Sequence, residues 1–303
     1  MLKIGMIGLD TTHCPAFTDL LNNEKNPHHI KGGRIVAAYP GGSADFELSS
    51  SRVGPITRQL EKDFHVKMLG SPEEVAEQTD AILLTSVDGR VHLEQFSRVV
   101  PYGKPIYIDK PLACSSADAR RIFDLAQQYN VPVSSSSSLR FSEELQQAAM
   151  DQGSIFGADT YGPMKIEPPL PGLFWYGIHS IEMLFTVMGT GCRQVGCTVN
   201  NDHDVIVGKW ADGRIGTVRG NRTGNHQFGA LVHRRSGTAF VDCQKGTKPH
   251  YASLLEEVMK MFTTGESPVG MDESMEVIRF IEAANESRQT GKTVLLGERM
   301  AQN

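Results

Sequence analysis

Six consecutive residues in the first half of the chain, Asp80-Ala81-Ile82-Leu83-Leu84-Thr85, show no polar alternation. A strand covered on both faces has this pattern, and a sheet with one wet face does not. Lys3 to Ile7, Arg34 to Tyr39, Ile106 to Ile108 and Val131 to Ser134 read as further short strands. Between them lie helical patterns at Pro15 to Asn22, Gly54 to Phe64, Pro72 to Gln78, His92 to Val100 and Ala117 to Tyr129, with Pro15 in a first turn and Ser71 set as an N-cap. Strand and helix alternating at this spacing predict an α/β domain with a doubly wound parallel sheet. One stretch breaks the rhythm. The polar run from Pro40 to Ser51 exceeds the about two to six residues usual between such elements.

With 303 residues the chain has room for a second domain. Ser134 to Ser138 has the composition of a flexible linker, yet its first residue closes a strand, so an ordered crossing is expected from residues 1–135 into residues 136–303. Past Gly189, strand patterns at Asp204 to Trp210 and Arg214 to Arg219 flank Ala211-Asp212-Gly213, a hairpin signal. Phe228 to Arg234 and Thr238 to Asp242 add two strands, and helices follow at Tyr251 to Thr263 and Asp272 to Gln289. The second domain is therefore expected to be α+β, with a mainly antiparallel open sheet.

Composition narrows the function classes. A net charge of -5 and a pI near 6.1 give no electrostatic reason for a nucleic acid or an anionic membrane as partner. No apolar run approaches the roughly 20 residues of a spanning helix. The N-terminus enters a strand without the basic and apolar regions of a signal peptide, so a cytoplasmic location is expected. The five cysteines are scattered and form no Cys-x-x-Cys pair, which points neither to a disulfide framework nor to zinc.

Chemistry concentrates at strand ends. Gly103-Lys104-Pro105-Ile106-Tyr107-Ile108-Asp109-Lys110-Pro111-Leu112 is a buried strand with a charged tip, and in open α/β sheets ligands sit beyond the carboxyl ends of the strands. The first turn, where such folds hold a cofactor pyrophosphate with G-x-G-x-x-G, reads Gly8-Leu9-Asp10-Thr11-Thr12-His13. Only the first glycine is present. Asp10 sets a carboxylate against a diphosphate, and like charges ~4 Å apart repel by about 1 kcal/mol even in water. His13 compensates if protonated, and the hydroxyls of Thr11 and Thr12 are donors to phosphate. Two other readings stand beside this: Asp10 and Thr12 as helix caps, and Asp10-x-x-His13 as half of a metal site, although two residues do not make one. No metal is assigned. Tyr39, ending the second strand, brings neither an acid for a ribose nor a base for a 2′-phosphate, so NAD and NADP are not distinguished there. In the loop Thr85 to His92, Ser86 and His92 are candidate cofactor contacts, His92 alternatively caps the next helix, and Arg90 offers an anion contact.

The Asp109-Lys110-Pro111 tip closely resembles the Glu-Lys-Pro signature of the Gfo/Idh/MocA family of nicotinamide-dependent sugar and polyol oxidoreductases, with Asp109 in place of the glutamate. Leu139-Arg140-Phe141 resembles an Arg-Phe or Arg-Tyr element of that family, and Gly177-x-His179-x-x-Glu182 resembles its Asp-x-Gly-x-His-x-x-Asp element, with Trp175 where the first aspartate stands. The resemblance implies a Rossmann-like first domain that binds NAD or NADP through Gly8, Asp10, Thr11, Thr12, His13, Tyr39, Ser86, His92, Asp109, Lys110 and Pro111. It implies His179 as the base that acts on a substrate hydroxyl, an imidazole of ordinary pKa about 6.5. Lys110 orients that hydroxyl, Asp109 restrains the Lys110 ammonium, and Arg140, Trp175, Tyr176 and Glu182 contact a small polyhydroxylated substrate. The open face of the second sheet commonly serves as a subunit interface in that family, so a homodimer or homotetramer is expected. Two alternatives remain at this point: a non-redox hydrolase or lyase on the same fold, carried by the altered turn and Trp175, and a non-catalytic ligand-binding protein.

Overall fold

The structure is a computed structural model that describes residues 1–150 and 152–297. The chain forms two compact units, the first made of Met1–Ser138 with Lys248–Met271, the second of Leu139–Thr247 and the chain from Asp272 onward. The first crossing thus falls at Ser138/Leu139 in place of 135/136. The return of residues 248–271 to the first unit is a second crossing that no sequence pattern announced.

The first unit runs β1 (Leu2–Ile7), α1 (His13–Asn22), β2 (Gly33–Tyr39), α2 (Glu47–Phe64), β3 (Lys67–Met68), α3 (Pro72–Gln78), β4 (Ala81–Leu84), α4 (His92–Val99), β5 (Ile106–Asp109), α5 (Ser116–Gln128) and β6 (Val133–Ser136). Its six strands are parallel, in the order β3-β2-β1-β4-β5-β6, the doubly wound arrangement expected. All four residues of β4 are fully buried, as the missing polar alternation requires. Ser71 caps α3 by accepting the Glu74 N–H, with Pro72 in the first turn.

Two boundaries differ from expectation. Helix α2 begins at Glu47, inside the stretch read as loop, and runs through Pro55. A proline inside a helix removes one hydrogen bond, but Phe46 and Ser49, both buried, hold the added turns against the unit. Strand β6 lies two residues further on than its pattern suggested, pairing Tyr107 with Ser134 and Asp109 with Ser136. The Tyr107 hydroxyl donates to the Ser136 carbonyl at 2.8 Å, and all five serines of the tract are buried, so the crossing is ordered as expected.

The second unit holds α6 (Glu143–Ala149), β7 (Ile155–Pro163), α7 (Gly177–Met188), β8 (Cys192–Val199), β9 (His203–Trp210), β10 (Ile215–Asn221), β11 (Gly229–Arg234) and β12 (Gly237–Asp242). The chain then returns to the first unit as α8 (His250–Thr264), packed on α1, and comes back through α9 (Met271–Thr290) to β13 (Val294–Leu295). The sheet order is β12-β11-β7-β10-β9-β8-β13, antiparallel except where β7 and β10 run parallel. Strands β7 and β8 were not expected. The β7 sequence carries two glycines, an aspartate and a proline, which read as turn, and it is a strand because β10 and β11 pair it on both sides. Helix α7 covers one face of this sheet, where Thr160 donates to the Ser180 carbonyl at 2.9 Å. Asp204, fully buried at the start of β9, accepts from both terminal nitrogens of Arg222 at 3.1 and 3.0 Å and from Nε of Arg288 at 3.0 Å, which ties β9 to the end of β10 and to α9. Among the described residues no helix is long and apolar enough to cross a membrane.

Candidate active site

Loops after β1, β4 and β5 gather at the carboxyl end of the parallel sheet. Gly8 ends β1 at φ +86°. A Cβ there would lie 2.1 Å from Ser86 Oγ and 2.5 Å from the Ser86 nitrogen, so only glycine brings the first turn this close to the loop after β4. Asp10 is fully buried, and its carboxylate accepts the Val87 N–H at 2.8 Å and the Ser49 hydroxyl at 2.5 Å. Burial nevertheless raises its pKa, outweighing these bonds and the nearby His92. The capping reading is corrected: α1 starts behind Thr12 with no side-chain cap. The metal half-site is not assembled either, since Asp10 and His13 turn to different partners. Thr11, also buried, accepts the His13 N–H at 3.4 Å, and the Tyr39 carbonyl accepts the Gly8 N–H at 2.9 Å.

His13 places Nδ1 2.5 Å from Oδ2 of Asp109, both residues being buried. Burial would raise the Asp109 carboxyl, but the charge and hydrogen bond of His13, helped by Lys110, hold it below the usual carboxylate range. The other carboxylate oxygen accepts the Lys110 backbone N–H at 2.9 Å. Lys110 itself is buried. His92 is fully buried, with Nδ1 2.8 Å from the Pro111 carbonyl and Nε2 2.8 Å from the Ser86 carbonyl. It braces the loop after β4 against the Lys110-Pro111 turn, and it supplies no side-chain cap to α4. Ser86 donates its hydroxyl to Gln95 at 2.8 Å. Arg90 is no open anion contact: it binds Asp88 through Nε and Nη2 and Asp45 through both terminal nitrogens at 3.0 Å.

In the second unit His179 lies in the first turn of α7, half-buried, its ring edge-on to Tyr176 at 5.5 Å and to Phe228 at 5.6 Å. Trp175 is buried, 5.6 Å from Tyr176. Arg140 and Glu182 meet each other: Nε of Arg140 donates to Glu182 at 3.2 Å, and Nη1 lies 2.6 Å from Glu273. Burial works against the Arg140 charge, and the two carboxylates outweigh it, so the guanidinium stays protonated. Both Arg140 and Glu182 are buried, which makes them a strut joining the 139–141 turn, α7 and α9.

Residues 2–137 match the oxidoreductase family with an NAD-binding Rossmann fold, Gfo/Idh/MocA. The first domain of this chain is similar to that family. The chain is 29% identical over 126 residues to the inositol 2-dehydrogenase of Cereibacter sphaeroides, a match that spans 41% of this chain and 32% of that relative, about a third of its length. Among solved structures, the myo-inositol dehydrogenase of Lactobacillus casei in complex with NAD(H) and myo-inositol superposes with TM-score 0.77 at 18% identity, over 100% of this chain and 98% of the other. The myo-inositol 2-dehydrogenase of Lactobacillus plantarum does so with TM-score 0.78 at 17% identity, over 98% and 99%. These likenesses show the fold.

The Gfo/Idh/MocA domain needs a first turn that a pyrophosphate can approach, and the residues present fit that group. Gly8 gives the close approach, the N-terminus of α1 follows at once, and the carboxylate that would oppose a diphosphate is turned into the protein between Val87 and Ser49. Gly8, Thr11, Thr12 and His13 are the residues of this turn that would hold the phosphates. Sequence reasoning missed Ser49, because it sits in a stretch read as loop, and Tyr251 of α8, whose ring lies 4.9 Å from His13. No local signal joins residues so far apart in sequence.

Asp10 gives a pH prediction. Its folded pKa lies above the unfolded value, so its contribution to stability is fully present below the unfolded pKa and is lost as pH rises through the folded one. Asp10→Asn keeps an acceptor for Val87 and sheds the buried charge. Thermal melts are expected to show the variant gaining on wild type as pH rises above the ordinary carboxylate range, whereas Asp10→Ala, which leaves the Val87 N–H unpaired, loses about 1–3 kcal/mol throughout.

Proposed function

We propose that this chain is a cytoplasmic NAD(P)-dependent oxidoreductase that moves a hydride between a small polyol, of the inositol or sugar type, and a nicotinamide. The observation that carries this reading is the setting of Lys110: a buried amine at the carboxyl end of β5, its backbone fixed by Asp109 on one side and the following Pro111 carbonyl braced by His92 on the other. The inositol dehydrogenases among its relatives support the substrate class. A nicotinamide, when bound, accepts or returns the hydride. Lys110 donates a hydrogen bond to the reacting oxygen and stabilises negative charge as it develops there. His179 takes the hydroxyl proton, and Trp175 and Tyr176 form the aromatic wall beside it. Arg140 and Glu182 act by holding α7, and so His179, in place.

Incubating the purified protein with NAD or NADP and a panel of inositols and sugars tests this, with absorbance of the reduced nicotinamide as readout. Substrate-dependent reduction is expected. Turnover of a polyol without any redox change of the nucleotide would return the assignment to a hydrolase or lyase.

The second sheet also presents an apolar open face, with Phe156, Ile215, Leu231 and Phe240 between 36% and 63% exposed. We assign its cover to a second copy of this chain, as a dimer or tetramer. Light scattering is expected to give a multiple of the chain mass, reduced by Phe240→Asp; a monomeric wild type would remove this assignment.

A further inference from the structure

His13 stands where the dinucleotide fingerprint has its third glycine, and Asp109 where the family signature has a glutamate. These two departures, 96 positions apart, are one contact in the fold, Nδ1 to Oδ2 at 2.5 Å. We propose that the His13–Asp109 pair is a single compensated unit that positions Lys110 and completes the cofactor turn. The inference rests on the oxidoreductase reading above.

Reach is the first argument. Aspartate is one methylene shorter than glutamate, and the imidazole extends from the start of α1 to meet the retracted carboxylate. A residue with a side chain at position 13 needs room that a glycine does not, and the first unit provides it. The His13 ring stacks on Phe17 at 5.4 Å and takes the Tyr251 ring edge-on at 4.9 Å, while Phe17 and Tyr251 meet at 5.7 Å. The wall thus comes from α8, the segment that returns from the second unit.

Charge and orientation give the second argument. A buried carboxylate without partners is costly, and Asp109 has two: the His13 ring and the backbone N–H of Lys110. The ionised carboxylate draws a proton to Nδ1, and among the described residues Nε2 of His13 makes no hydrogen bond, which leaves it for a ligand at the α1 terminus. Titratable groups near the ring besides Asp109 include Tyr251 and His250 on α8, and Lys110 acts on the same Asp109 carboxylate. Burial, aided by the His13 charge, pushes His250 towards its neutral form. Through one carboxylate, the turn that would hold phosphate is bonded to the residue that would hold the reacting oxygen.

The test restores the family residues one at a time and together: His13→Gly, Asp109→Glu and the double variant, with His13→Gln as the conservative change. NADH affinity is read by fluorescence titration, kcat and KM on the best polyol, and thermal midpoint on each protein. Each single variant is expected to weaken NADH binding and lower kcat at least tenfold, and the double variant to regain most of that loss, because the longer carboxylate fills the space the imidazole vacates. His13→Gln should retain more NADH affinity than His13→Gly. Additive losses in the double variant, or singles that lower the thermal midpoint with NADH affinity and kcat unchanged, would overturn the proposal. If His13→Gly alone does not fold, Asp109→Glu against the double variant carries the same comparison. A wild type that binds no nucleotide removes the oxidoreductase reading and this inference with it; a wild type that binds, with additive variants, removes the inference alone.

Discussion

Lys110→Met is expected to lower kcat/KM for the best polyol by about a hundredfold or more, the loss typical when a preorganised donor to a developing oxyanion is removed. Methionine keeps most of the buried stem, and the backbone N–H that binds Asp109 is untouched, so the thermal midpoint should stay near that of wild type. His179→Asn removes the proton acceptor while leaving α7 intact, and about 10²- to 10⁴-fold should go from kcat. The pair of results separates enzyme from binder. If both variants fold and turn over substrate like wild type, neither residue touches the reaction and the site lies elsewhere.

Asp204→Ala is expected to give the largest loss of stability of any single change away from the site. Its carboxylate is the shared acceptor of Arg222 and Arg288, and without it Arg288 loses its carboxylate partner while Arg222 is left with backbone carbonyls such as those of Asn200 and Asn201. Breaking a buried ion pair by removing one partner costs about 3–5 kcal/mol, which lowers the melting midpoint by on the order of 10 °C for a unit of this size. Thermal melts of Asp204→Ala and Asp204→Asn check this. A shift of a degree or two in the alanine variant would mean that the arginines find other acceptors and that the triad is not what binds β9 to α9.

The parallel sheet was legible because its strands are buried on both faces and leave uninterrupted apolar runs, as in Ala81 to Leu84. The hairpin between β9 and β10 was equally legible from Ala211-Asp212-Gly213, with Gly213 at φ +90°. Strand β7 was not, since its two glycines and its proline say turn, and only its two neighbours in the sheet make it a strand. Residue types at the end of β5 and in the turn after β1 singled out Asp109, Lys110 and His13 as candidates. What each one touches was not legible, because the contacts join distant segments: His13 to Asp109, Asp10 to Ser49, Arg90 to Asp45, and Arg140 to both Glu182 and Glu273. Arg90 and Arg140 show the consequence. Arg90 was read as an anion contact and Arg140 as a substrate contact, and each is held by two carboxylates in the fold.

The measurement that bears most directly on the oxidoreductase reading is titration of the purified, nucleotide-free protein with NADH and NADPH, followed by fluorescence and calorimetry. Micromolar binding of at least one is predicted, with the Gly8 to His13 turn serving despite its single glycine. A folded protein that binds neither up to millimolar concentration would contradict the account.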